Sequence, residues 1–112
     1  MVGWLNDLIS QGEHQQLDFK YRVDDAQKIA RSLVAFANTD GGTLLIGVRD
    51  NGTIAGIISE EEYYVLEAAS QIYTNPEVPF TCQQHNIQGK TVLEVTIKES
   101  DNKPHYVKTN EG

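Results

Sequence analysis

Ala35-Phe36-Ala37-Asn38-Thr39-Asp40-Gly41-Gly42-Thr43-Leu44-Leu45-Ile46-Gly47-Val48-Arg49-Asp50-Asn51-Gly52-Thr53 decides the fold. Its first residues close a stripe of Ala26, Ile29, Ala30, Leu33, Val34 and Ala37, whose spacing is that of one helical face. The helix is expected over Asp25 to Ala37. Asp24, with Gln27 three residues on, opens it as a variant capping box. Asn38 to Gly42 ends it, because glycine supplies the left-handed conformation common at a helix stop. Thr43 to Val48 is a near-continuous apolar run, too short for a buried helix and bounded by turn residues, which predicts a central strand. Asp50-Asn51-Gly52-Thr53 predicts a tight hairpin with positive φ at both central residues, and Thr53 to Ile58 is the expected returning strand.

Working outward, Trp4, Leu5, Leu8 and Ile9 predict a short amphipathic helix ending near Gly12. Gln15 to Tyr21 alternates Leu17, Phe19 and Tyr21 with Gln16, Asp18, Lys20 and Arg22, the pattern of a half-buried strand. On the far side, Ser59 with Glu62 forms a second capping box whose acidic first turn suits the helix dipole. Val65, Ala68, Ala69, Ile72 and Tyr73 are the expected buried stripe of a helix over Glu60 to Tyr73, stopped by Asn75-Pro76. Phe80 to Ile87 and Thr91 to Lys98 are predicted strands around Gln88-Gly89-Lys90, the second turning Leu93, Val95 and Ile97 inward; His105, Tyr106 and Val107 begin a further strand. The fold class is α+β: a mixed, partly antiparallel sheet of about five to six strands, two main helices on one face and a short N-terminal helix. Leu33, Phe36, Leu45, Ile46, Val48, Val65, Ile72, Val95 and Ile97 are the expected core.

The 112 residues suit one domain, read here as the N-terminal part of a longer protein. One cysteine excludes an internal disulfide and a Cys-rich zinc site, no apolar run spans a membrane, and no signal peptide precedes the fold, so the expected compartment is the cytoplasm. Nine Lys and Arg against 16 Asp and Glu leave a net charge of −7. Five basic and six acidic residues lie in positions 1–49, a net of −1, so the acidity falls mostly on the second half and a local basic face in the first is allowed.

Glu13, Asp18 and Asp50 are the candidate catalytic and metal-ligating residues, since carboxylates from separate elements can hold Mg²⁺ or Mn²⁺ and activate water for phosphodiester cleavage. Glu13 can join the other two only if the chain between Gly12 and Gln15 turns. Equally, these are a helix-end charge, a solvated strand residue and a turn residue. Lys20, Arg22, Lys28 and Arg31, with Arg49 as a fifth member, are the candidate nucleic-acid-binding patch or an ordinary solvated face. The glycines match no phosphate loop or dinucleotide fingerprint, His14, His85 and His105 show no metal-ligand spacing, and Cys82 carries no chemistry. The acidic surface also suits protein contacts, a homo-oligomer among them.

Gly12-Glu13, Leu17-Asp18-Phe19-Lys20, Ala35 to Gly42, Ile46 to Gly52, Gly56-Ile57 and Lys103-Pro104-His105-Tyr106 together resemble the Schlafen/AlbA-like domain, also called the divergent AAA domain. The resemblance covers most of Glu13 to Val107. It implies a DNA- or RNA-binding module of the kind found in bacterial transcriptional regulators and helicase-related proteins. The Schlafen branch also includes metal-dependent RNA endonucleases, whose acidic triad falls here on Glu13, Asp18 and Asp50, with Lys20 at the motif lysine. The departure is Asp18, where the motif has Glu. One methylene fewer shortens the carboxylate's reach by about 1.5 Å, which the backbone would have to make up.

Overall fold

A computed structural model describes residues 3–58 and 60–108. Helix α1 spans Gly3–Ser10 and strand β1 Leu17–Lys20; α2 is Ala26–Ala37 and β2 Gly42–Ile46. Helix α3 is Glu61–Ile72, followed by β3 (Thr74–Asn75), β4 (Thr81–Ile87), β5 (Lys90–Ile97) and β6 (Tyr106–Val107). The main sheet has the order β1-β2-β5-β4; β1 and β2 run parallel, the other pairs antiparallel, and β3 and β6 form a separate two-stranded sheet. The α+β class, the three helices and the mixed sheet are as the sequence predicts.

The period of two along each strand deals apolar side chains to two faces. Leu44, Ile46, Leu93, Val95 and Ile97 pack under α2 and α3 with Ile29, Leu33, Phe36, Leu66 and Ala69. Leu17, Phe19, Leu45, Val48 and Val92 face the other way and are closed by Leu5, Leu8 and Ile9 of α1. The helices therefore lie on both faces, not on one. A strand such as Leu44-Leu45-Ile46, apolar on both sides, requires a cover on each.

Two turns differ from expectation. In the Arg49–Gly52 turn only Gly52 has positive φ, at 88°; Asn51 instead accepts a side-chain hydrogen bond from the Thr53 N–H at 2.9 Å. The turn with two positive-φ residues is Gln88-Gly89, φ 54° and 79°, joining β4 to β5. Thr53 to Ile58 is no strand. It makes one bridge, Val48 to Ile54, and then the Gly47 carbonyl accepts from both Ala55 and Gly56 N–H, curling the chain away. Gly47, at φ 98°, lies so close to Gly56 that an added Cβ would come within 3.0 Å of its backbone.

The helix caps also move. Asp25, not Asp24, caps α2, its carboxylate accepting from the Gln27 and Lys28 N–H groups. Ser59, the expected cap of α3, lies outside the described residues. The α3 stripe is rotated from the predicted one: Glu62, Leu66, Ala69 and Ser70 are buried, Val65 is partly buried and Ile72 is 57% exposed. The cause is Glu62, which turns inward to accept from Val23 N–H at 3.2 Å and Ile58 N–H at 2.7 Å. The other expected core residues, Leu33, Phe36, Leu45, Ile46, Val48, Val95 and Ile97, are buried.

Asn38, just past α2, holds the C-terminal segment. Its side-chain amide donates to the His105 carbonyl at 3.0 Å and accepts from the His105 N–H at 2.8 Å. The buried His105 ring adds Pro76 O at 2.6 Å and Ser100 Oγ at 2.5 Å. Among the described residues no helix is long and apolar enough to cross a membrane.

Candidate nucleic-acid interface

Strand β1 lies at one edge of the sheet, and Glu13, Asp18, Lys20 and Arg22 lie on it or beside its ends. Before it, a backbone-paired turn joins His14 and Leu17 through two hydrogen bonds of 2.9 and 3.0 Å. This turn meets the condition for Glu13 to reach the strand. Its carboxylate accepts from the Phe19 N–H at 3.0 Å and lies beside that of Asp18. Sharing a hydrogen bond with the Asp18 carboxyl pushes the Glu13 pKa up; the Phe19 N–H opposes this, while burial and the charges of Asp18 and Asp50 add to it. Asp18 is itself engaged, 3.3 Å from Lys20 Nζ and accepting from Ser32 Oγ of α2 at 3.4 Å. Glu13 and Asp18 are thus brought together, and Asp50, exposed in the Arg49–Gly52 turn, acts on Glu13 through its field. Among the described residues no three His, Cys, Asp or Glu side chains are gathered as a metal-holding group.

Beyond Lys20 the strand ends and the chemistry changes sign. Tyr21, expected among the inward residues, is 38% exposed. The Arg22 guanidinium lies over its ring at 3.9 Å and that of Arg49 at 4.0 Å. Two like-charged planar groups that close to one centroid require opposite faces of the ring. Arg22 is also tied to the fold: Nη1 donates to the Tyr21 and Gly56 carbonyls at 2.9 and 3.0 Å, and Nη2 to the Tyr21 hydroxyl at 3.1 Å. Lys28 and Arg31 are exposed on α2, Lys28 one turn before the Ser32 that touches Asp18. The five basic residues therefore divide. Lys20 is paired, Arg22 is built in, Lys28 and Arg31 stand on the helix, and Arg49 tops the Tyr21 ring. Sequence reasoning missed Tyr21; the one available signal was its position beside Arg22 at the end of a strand.

The profile of the family described as Schlafen, AlbA_2 matches residues 13–112. The chain belongs to that family. In structure it is similar to the N-terminal domain of a RecG-related protein from Nitrosomonas europaea, named for ATP-dependent DNA helicases. That likeness has 23% identity and a TM-score of 0.66, over 95% of this chain and 79% of that one. It is also similar to the DIP2311 protein from Corynebacterium diphtheriae, with 17% identity and a TM-score of 0.67, over 98% of this chain but only 26% of that one. No curated protein matches significantly in sequence. At these identities the solved structures bear on the fold.

Proposed function

We propose that this module binds nucleic acid, as the DNA- or RNA-contacting part of a bacterial transcriptional regulator acting in the cytoplasm. The observation that carries the reading is the exposed cationic surface at the C-terminal end of β1. There Arg49 lies over Tyr21, and the following helix α2 presents Lys28 and Arg31, both exposed. Family membership and the helicase-related name of the Nitrosomonas protein support it. With a net charge of −7, attraction must be local, and binding by the module alone is expected to be about micromolar or weaker.

The test is the salt dependence of oligonucleotide binding. Phosphate contacts release counterions, so each contributes roughly −0.7 to −0.9 to the log–log slope. Changing Lys28 and Arg31 together to Gln should flatten the slope by about 1.5 units. These two are the cleanest choice because both are exposed, whereas Arg22 holds the Gly56 carbonyl. Equal binding by parent and variant at every salt concentration would remove the helix from the interface.

A second reading, a metal-dependent endoribonuclease, is favoured by the Glu13–Asp18 carboxyl contact within the field of Asp50. Mg²⁺ or Mn²⁺ would be its ion. As placed, the three carboxylates do not fit a common ion, because Asp18 is engaged with Lys20 and Ser32 and Asp50 contributes charge without contact. Mn²⁺-dependent RNA cleavage lost on Asp50→Ala would establish this reading; no cleavage would end it.

A further inference from the structure

We propose that the Arg22–Tyr21–Arg49 stack is a platform for one unpaired base, so that the strand this module takes up is single-stranded. The inference rests on the nucleic-acid reading above and narrows its substrate. Both faces of Tyr21 are covered by guanidinium groups, so the ring itself is not the stacking surface. The free plane is the outer face of Arg49, which is exposed.

That plane is held in place before any ligand arrives. Arg22 forms a fixed floor, its two Nη groups donating to Tyr21 O, Gly56 O and the Tyr21 hydroxyl. Tyr21 rests on the floor, and Arg49 rests on Tyr21. The Arg49 backbone is pinned in its turn, its N–H donating to Thr53 O at 2.9 Å and its carbonyl accepting from Gly52 N–H at 2.8 Å. A pre-ordered planar cation loses little further entropy when a base stacks on it.

Local charge selects the base over the backbone. Asp50 is next to Arg49 in the chain, and Asp18 and Glu13 lie at the other end of β1 within range of each other's fields. The Asp50 carboxylate, beside the platform, repels a phosphate laid against it. A nucleobase is uncharged, so it gains the cation–π and stacking contact without that repulsion. A duplex shows only base edges in its grooves, and its base faces are buried in the stack. An unpaired strand offers a face directly.

The experiment uses fluorescence anisotropy with a short labelled single strand of mixed sequence and the blunt duplex made by annealing its complement. Both are titrated with the parent protein, Arg49→Lys and Tyr21→Leu. Arg49→Lys keeps the charge and loses the plane. It should weaken single-strand binding at least about fivefold, leaving the salt slope and the duplex affinity unchanged. Tyr21→Leu, which removes the support, should shift single-strand binding in the same direction. If the parent binds single strand and duplex alike and Arg49→Lys weakens neither, the platform is overturned while the nucleic-acid reading stands. If the parent binds neither probe at low salt, that broader reading fails, and the platform with it. Displacement of the strand by a mononucleotide at equal nucleotide concentration would overturn a strand as the ligand.

Discussion

Helices α2 and α3 cover the same face of the same sheet, and both begin with a carboxylate accepting backbone N–H groups. The partners differ. Asp25 receives Gln27 and Lys28, two and three residues away in its own helix. Glu62 receives Ile58 and Val23, the second 39 residues distant. A local cap sets where a helix starts; a carboxylate that reaches other segments sets how the helix is rotated and what it holds. Glu62, buried to 7% exposure, joins the loop after β1 to the curled chain after β2. Arg22 makes a second tie between the same two segments through the Gly56 carbonyl.

Removing the long-range acceptor should cost most. Glu62→Ala leaves the buried Val23 N–H and the part-buried Ile58 N–H without their acceptor and is expected to destabilise by about 2–4 kcal/mol in denaturant titration. Glu62→Gln, which retains one acceptor oxygen, should recover part of that loss. Breaking the local cap is milder: Asp25→Ala should cost about 1 kcal/mol by the same measurement. Equal losses in the two would mean that the long-range bonds of Glu62 contribute no more than an ordinary cap does.

Glu13 supplies a third case, a carboxylate that accepts from Phe19 N–H yet is pressed against Asp18. Its folded pKa lies above the ordinary 4.5, so in the acidic window just above 4.5 the folded state binds more protons than the unfolded one. Stability from this group is present below that window and is lost as pH rises through the raised value. Glu13→Gln should remove this slope from a pH series of melting curves, leaving the fold intact, because the amide oxygen can still accept from Phe19. An unchanged slope would assign the pH dependence elsewhere. The smallest effect is expected at Ile72, on the outward side of α3: Ile72→Gln should change stability by less than about 0.5 kcal/mol. A larger, concentration-dependent loss would show that a second copy covers this side.

The same contrast accounts for what was legible in the sequence. Ile29, Ala30, Leu33 and Ala37 of the predicted α2 stripe are buried as their spacing predicts, because that helix is decided by neighbours in the chain. The stripe of α3 is rotated from the predicted one because Glu62, read as the acidic partner in a Ser59 capping box, accepts from Val23 and Ile58 instead. Ser70, outside the predicted stripe, is buried with its hydroxyl donating to Val78 O at 2.6 Å. Both buried polar groups obey the demand for a partner, but the partners come from other elements. At the candidate site, Glu13 beside Asp18 followed from the turn condition, and Lys28 and Arg31 are exposed as a binding face requires. The division of the arginines was not legible. Arg22 and Arg49 are 27 positions apart by their numbers, and nothing in either neighbourhood says that one ring lies between them.

Strand β2 is flanked by β1, made before it, and by β5, made long after. As the chain leaves the ribosome, β1, α2 and β2 can assemble with one flank of β2 still unpaired. That flank stays open until Lys90–Ile97 has been synthesised and the β4–β5 hairpin can dock. An open apolar strand is a template for pairing with other chains. Synthesis that stalls between α3 and β5 should therefore yield a sticky nascent product. Pulse-labelling should find it bound to chaperones, and full-length chains should be released from them.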